Sequence, residues 1–380
     1  MEGYDNPIRR QVFSLPELIE QQVSDLIPKI ADLWTPEEGE SIQRIILTGC
    51  GDSYAACMAQ KYTFETLTGI PTEVVPALEL GRYYCKEQFG REKGNPLVIA
   101  VSNSGNVARV SEAVQRVRMH GSMTLGITGN RDSELGRHGE KILCTQIPPF
   151  ESAPGTRSYL VSILALNLLA VRLGELRKDY TTEMAERYRE DIRNQSRLLT
   201  ELLPQMDRNC LEIANQWKDY PCYEYVGAGF DYAAAWFGQA KILEAVGQFV
   251  MHCNAEDWHH LNFFAREADK IGTVVVCNTA NPALSRTKEM VGHAKKLGRP
   301  LAIITDGGPG DFDSVRAAYI QVPNPVYPIH MPVTHFAPLC LLAGYLSAMK
   351  GETYGRGSEG PWEFSKGGRC VKDSKIVIRQ

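Results

Sequence analysis

The feature that most restricts the fold is a repeat. Ile45–Thr48 followed by Gly49-Cys-Gly-Asp-Ser-Tyr-Ala-Ala returns as Tyr223–Val226 followed by Gly227-Ala-Gly-Phe-Asp-Tyr-Ala-Ala, every position displaced by the same amount. Each copy is a short apolar run, a glycine turn and a small-residue helical start, so the chain is expected to build the same strand–turn–helix unit twice. Two more runs recur in the same order: Val98–Val101 is echoed by Val274–Cys277, and Leu125–Thr128 by Leu301–Thr305. In the first copy, Ile45–Thr48, Thr72–Pro76, Leu97–Val101, Thr124–Thr128 and Lys141–Gln146 have strand length. Helical patterns lie between them, from Ser53 past Tyr62 and from Val107 to about His120. This alternation predicts an α/β protein of two tandem, doubly wound parallel-sheet domains of flavodoxin-like type.

The expected division follows from shifts in character along the chain. Residues 1–40 form a helical lead-in, 41–175 a first domain, 176–220 a helical connector, 221–354 a second domain and 355–380 a tail. The connector is highly charged and carries Pro204, which predicts two helices broken at that residue. The glycine-rich stretch GRGSEGPWEFSKGGR in the tail has the composition of a movable cover.

Charge excludes one class of partner. Forty-one basic against 45 acidic residues give −4, with no cationic excess to displace counterions from a nucleic acid. The longest apolar stretch, Leu160–Leu173, contains Asn167 and Arg172. It falls short of crossing about 30 Å of hydrocarbon and reads as a buried helix, so no membrane partner is expected. The N-terminus MEGYDNPIRR has no apolar core of a secretory signal, and the ten cysteines show no CxxC. Both point to reduced thiols in a cytoplasmic protein.

Two loops have the chemistry of an anion site. Gly49-Cys-Gly-Asp-Ser-Tyr turns from strand to helix, and Gly51, Asp52 and Ser53 lie at its helix start. A dinucleotide fold with Glu73 on the ribose is the rival, but Tyr54 stands where the third glycine of the fingerprint belongs. Ser102-Asn103-Ser104-Gly105, after the third strand, offers hydroxyls and an amide at another helix start, which suits a phosphate monoester. Thr128, in Thr128-Gly-Asn after the fourth strand, would lie beside it. The corresponding Asn278-Thr-Ala-Asn is poorer in donors, so the phosphate is expected on the first copy alone. His252, Cys253, His259 and His260 match no common zinc spacing, and neither a metal nor a cofactor is expected.

Cys50-Gly51-Asp52-Ser53-Tyr54 together with Ser102-Asn103-Ser104-Gly105 resembles the sugar isomerase (SIS) domain. Two such domains in one chain resemble the isomerase half of glucosamine-6-phosphate synthases, from about residue 40 to the C-terminus. The resemblance implies a catalytic glutamate at Glu244 and, further along the chain, a ring-opening histidine at His260 that reaches the site of a neighbouring subunit in a homodimer. It also implies a site-closing lysine at Lys375, with nearby Lys372 as the alternative. Gly155 and Thr156, with Arg157, stand where the family has an Ala-Ser-Thr-Lys run facing the sugar. Asp52 and Val107 replace threonines. The glutaminase half is not matched: Met1-Glu2 offers no cysteine nucleophile, and only about 40 residues precede the first strand.

The chemistry of these residue types points the same way. Moving a carbonyl between C1 and C2 needs one base that shuttles a proton, a role suited to a carboxylate. It also needs a group that opens the ring by giving and taking a proton near neutrality, a role suited to histidine. A lysine can stabilise the developing oxyanion. Isomerisation of a 6-phosphorylated (amino)sugar is the reading, with release of an amine by a deglycase or deaminase as the alternative. A non-catalytic phosphosugar sensor is the second alternative.

Overall fold

The computed structural model describes residues 4–92, 94–352 and 359–380. It contains two five-stranded, wholly parallel sheets. The first is built from β1 (Arg44–Gly49), β2 (Thr72–Pro76), β3 (Pro96–Val101), β4 (Met123–Thr128) and β5 (Lys141–Cys144), in the order β2-β1-β3-β4-β5. The second is built from β6 (Cys222–Val226), β7 (Val250–Cys253), β8 (Ile271–Val276), β9 (Leu301–Thr305) and β10 (Ala318–Gln321), in the order β7-β6-β8-β9-β10. The two orders are the same, so the repeated sequence has become a repeated topology. Both sheets have the doubly wound order in which the direction of winding reverses beside the first strand, and ligands of such sheets sit at the C-terminal strand ends near that reversal.

The copies also match in backbone detail. Helices Asp52–Thr68 and Phe230–Ala245 begin at equivalent positions of the repeat. The residues before them, Gly51 (φ +56°) and Gly229 (φ +57°), share a conformation that side-chain-bearing residues rarely adopt. This is the physical reason that both turns carry glycine there.

The chain folds into two compact units that interleave in sequence. The first sheet belongs to the unit made of Leu18–Pro149, Arg157–Arg193 and Gly357–Gln380. Its apolar helix Arg157–Leu176, buried over nearly its whole length, packs on helix Asp52–Thr68 and is a core helix. Close approach is possible because Gly174 lies against the Leu67 carbonyl, where a Cβ would come within 2.5 Å. The tail positions 355–358, the start of the expected tail, lie outside the described residues.

The second sheet belongs to the unit made of Met1–Glu17, Phe150–Thr156 and Asn194–Arg356. The N-terminal segment is held there by an ionic cluster. Arg9 donates to the buried Asp207 at 2.8–3.2 Å and to the Tyr345 hydroxyl at 3.1 Å. Arg10 pairs with Glu151 at 2.7 Å, and Gln11 donates to the Glu151 carbonyl. The apolar helix Ala337–Met349 is buried in this core as well.

The connector differs from expectation. Thr182–Trp217 is one continuous 36-residue helix with Pro204 inside it, not two helices. A helix-interior proline costs about 3 kcal/mol. Here Leu199, Leu203, Met206, Cys210, Ile213, Ala214 and Trp217 are all buried, so one apolar stripe runs through the proline without changing face. Side-chain burial on both sides of Pro204 outweighs the lost backbone bond.

Candidate functional site

The Ser102–Gly105 loop of the first copy is braced by hydrogen bonds around Gly105. Gly105 closes the turn by donating its amide to the Ser102 carbonyl at 2.9 Å, and its own carbonyl accepts from Leu135 at 2.9 Å. It has φ +69°, and a Cβ there would come within 1.9 Å of Ser133 Oγ and 2.6 Å of Thr128 Oγ1. Only glycine fits. Thr128 is fully buried. Its Oγ1 lies 3.4 Å from the Asn103 carbonyl and accepts the Asn130 amide at 3.2 Å, so it braces the loop. Gly129 donates to the same Asn103 carbonyl at 2.9 Å.

Above this brace, Ser102 is buried and its hydroxyl has no hydrogen-bond partner among the described residues. An unpaired buried hydroxyl costs roughly 1–3 kcal/mol, and this one sits at the C-terminal end of β3. Helix Ala108–Met119 begins shortly after it. Ser104 Oγ is 3.4 Å from the Asn106 amide. Asp52 and Ser53 lie half-buried in the first turn of helix Asp52–Thr68, where a helix start favours negative charge. Burial pushes the neighbouring Cys50 thiol up, and the Arg109 guanidinium opposes that shift, which brings a positive charge within reach of this turn.

In the second copy the matching crevice is filled by carboxylates of the chain itself. Asp231, which occupies the position of Ser53 in the repeat, is 2% exposed. Its Oδ2 accepts the Asn278 amide at 3.1 Å, the Asn278 side chain at 2.8 Å and the Asn281 side chain at 2.7 Å. Asp306 accepts the Thr279 amide at 2.6 Å and its hydroxyl at 3.1 Å. The backbone amides of Asn278 and Thr279 are thus already bonded to carboxylates of the chain.

Glu244 lies in the last turn of helix Phe230–Ala245, 44% exposed, and pairs with Lys241. Lys241 is completely buried, with its ammonium 4.7 Å from the Phe237 ring centre. A carboxylate at this helix end meets the negative pole of the dipole, which the lysine offsets. Lys241 is the functional candidate that sequence reasoning missed, although its i,i+3 spacing from Glu244 was visible.

His260 ends the short helix Asp257–His260, is 67% exposed, and lies 3.0 Å from Glu256. Hydrogen bonds from Arg286 and His260 hold the Glu256 carboxyl below its usual range. His252 and His259 are engaged elsewhere: His252 lies 2.7 Å from Gln239 and 3.1 Å from the Tyr232 hydroxyl, and His259 lies 3.0 Å from His293. Gly155 is half-buried, whereas Thr156 is fully buried, its hydroxyl donating to the Pro154 carbonyl at 3.2 Å and lying 3.5 Å from Cys340 Sγ. Lys375 is exposed, and its carbonyl accepts from Arg109. Lys372 instead donates to the Gly367 carbonyl at 2.6 Å.

Fold and loops together define a class: an α/β protein built on two like parallel sheets with polar loops at their strand ends. Residues 40–172 match the SIS domain family. The chain is 26% identical over 360 residues to the isomerizing glutamine–fructose-6-phosphate aminotransferase of Clostridium acetobutylicum, covering 92% of this chain and 57% of that one. It thus spans a little over half the length of the curated relatives it matches. Its fold superposes with a TM-score of 0.82 on the C-terminal domain of the glucosamine-fructose-6-phosphate aminotransferase from Francisella tularensis, at 19% identity and covering 93% and 98% of the two chains. Tagatose-6-phosphate ketose/aldose isomerase from Escherichia coli gives 0.72 at 15% identity, covering 92% and 96%. Residues 40–172 thus match an SIS domain, and the chain resembles the C-terminal domain of these aminotransferases.

Proposed function

We propose that this chain isomerises a 6-phosphorylated (amino)sugar by moving a proton between C1 and C2. The observation that carries the reading is the orphaned, buried Ser102 hydroxyl on a loop otherwise firmly braced. A phosphate monoester supplies the acceptors that the Ser102–Ser104 loop lacks. In this reading Glu244 is the base, with Lys241 beside it to steady the carboxylate and the developing oxyanion. His260 opens the ring, exposed at the surface and able to act on a second subunit of a homodimer. Lys375 closes over the oxyanion.

The test is proton exchange followed by NMR in deuterated buffer. Fructose-6-phosphate, glucosamine-6-phosphate, galactosamine-6-phosphate and a fructosamine-6-phosphate are the probes. Deuterium entering at C1 or C2 without loss of amine supports isomerisation. Amine release replaces it with deglycation or deamination. Tight binding without exchange leaves a sensor. Mixed oligomers of Glu244→Gln and His260→Ala regain activity if His260 serves the neighbouring subunit, and verified mixed dimers that stay inactive remove that role.

A further inference from the structure

A buried carboxylate on helix Ala108–Met119 holds the C-terminal tail. Glu112 is fully buried yet carries three partners. Arg82 donates to it at 2.7 and 3.3 Å, Arg109 at 2.6 Å, and the backbone amide of Val377 at 2.7 Å. Arg109 then reaches past Glu112 to the tail, donating to Ser374 Oγ at 3.3 Å and to the Lys375 carbonyl. The tail is thereby gripped at Lys375 by its own carbonyl and, two residues later, by an amide. Residues 374–377 have neither helix nor strand of their own, and all four are exposed. Their order on this surface rests on those charged hydrogen bonds, which are the stronger kind. Lys372 lacks this grip.

The grip is placed where it bears on the phosphate loop. Arg109 stands in the first turn of the helix that follows Ser102-Asn103-Ser104-Gly105, and its charge reaches Cys50 in the neighbouring turn. The geometry points to Arg109 and Glu112 as positioning residues that fix Lys375, and not Lys372, beside the first-copy loop. This rests on the proposed isomerase reading for what Lys375 does there, but not for where the tail is held.

Two measurements separate those parts. In Arg109→Ala, which leaves the Arg82–Glu112 pair intact, amide hydrogen exchange at residues 374–377 should speed up about tenfold or more while helix Ala108–Met119 keeps its protection. Glu112→Gln should release the tail further, and Arg109→Lys should restore part of the protection. If Arg109→Ala folds and residues 374–377 stay as protected as in the parent chain, the inference fails. The second measurement is C1/C2 proton exchange on whichever probe the parent chain turns over. Arg109→Ala should lower kcat towards that of Lys375→Ala, with the smaller change in KM, and Lys372→Ala should do neither. A released tail with unchanged kcat overturns the positioning role while leaving the clasp. Full activity of Lys375→Ala instead overturns the catalytic role of Lys375, and the exchange data still decide the clasp.

Discussion

The two sheets share strand order, winding and even the left-handed glycine before the first helix, yet their crevices are chemically opposite. In the first, Asp52 and Ser53 open the helix after β1, and the Ser102 hydroxyl after β3 is buried with no hydrogen-bond partner among the described residues. In the second, Asp231 stands at the place of Ser53, and it and Asp306 already accept the loop amides. A carboxylate in such a crevice does from within what a phosphate would do from outside. The shared fold therefore fixes where the loops lie, and one or two side chains decide what they hold. The cores diverge in the same way. Ile46 in the middle of β1 sits in an apolar cluster with Ala77, Val98 and Phe89. Its counterpart Glu224 in β6 is fully buried and accepts from Trp258 at 3.1 Å, Thr273 at 2.6 Å and Asn262 at 3.0 Å, with Arg299 3.4 Å away.

The sharpest way to break this comparison is through the assigned chemistry. Glu244→Gln should reduce C1/C2 proton exchange by roughly 10²–10⁴-fold without changing phosphosugar affinity much, since it removes a general base and no phosphate contact. Exchange at the parent rate would return the second copy to a purely structural part. Next in size is the buried pair. Arg299→Met removes the cation from the buried Glu224–Arg299 pair and should cost about 3–5 kcal/mol in equilibrium unfolding. Ile46→Val at the matching position of the first copy should cost about 0.5–1.5 kcal/mol. Equal losses would mean that the two cores are held by the same forces after all.

Ligand affinity tests the crevices themselves. Ser102→Ala should weaken inorganic phosphate or phosphosugar binding roughly ten- to hundredfold, the value of a hydrogen bond to a charged group. Asp231→Asn in the other crevice should change it by less than about twofold, the two sites being independent. A similar loss from both would erase the distinction. The smallest effect is in acid. Burial raises the Glu112 carboxyl, but the hydrogen bonds from Arg82 and Val377 and the charge of Arg109 outweigh it and leave it below the usual value of 4.5. Its stabilisation is thus fully present above that value and is lost as pH falls through the lower, folded one. Protection of residues 374–377 should hold above pH 4.5 and fade at some lower pH as Glu112 is protonated, whereas a tail held by apolar contacts would show no such step.

Much of this architecture was legible because local pattern carries it. The strand Thr72–Pro76 falls on the residues its apolar run marked, and the helix after Ser102–Gly105 lies within one residue of its expected limits, because short buried strands and capped helices are written in neighbouring residues. The repeat even recorded the change from Ser53 to Asp231. Its meaning was not legible, because the partners that make Asp231 an internal anion, Asn278 and Asn281, lie on a distant loop of the chain. Lys241 was overlooked for a related reason: a lysine on a helix ordinarily faces water, and only packing on Phe237 shows it buried.

By itself, then, the sequence determined the duplicated α/β topology, the glycine turns and the placing of polar loops at strand ends, all of which follow from hydrophobic period and backbone sterics. Tertiary structure decided what depends on distant groups meeting. It carried the helix Thr182–Trp217 unbroken through Pro204, because burial on both sides exceeded the local penalty. It also joined the N-terminal segment to the second sheet's unit through Arg9 and Asp207. And it closed one crevice with carboxylates while leaving the other with an unsatisfied hydroxyl, because hydrogen-bond partners are found by folding and not by adjacency.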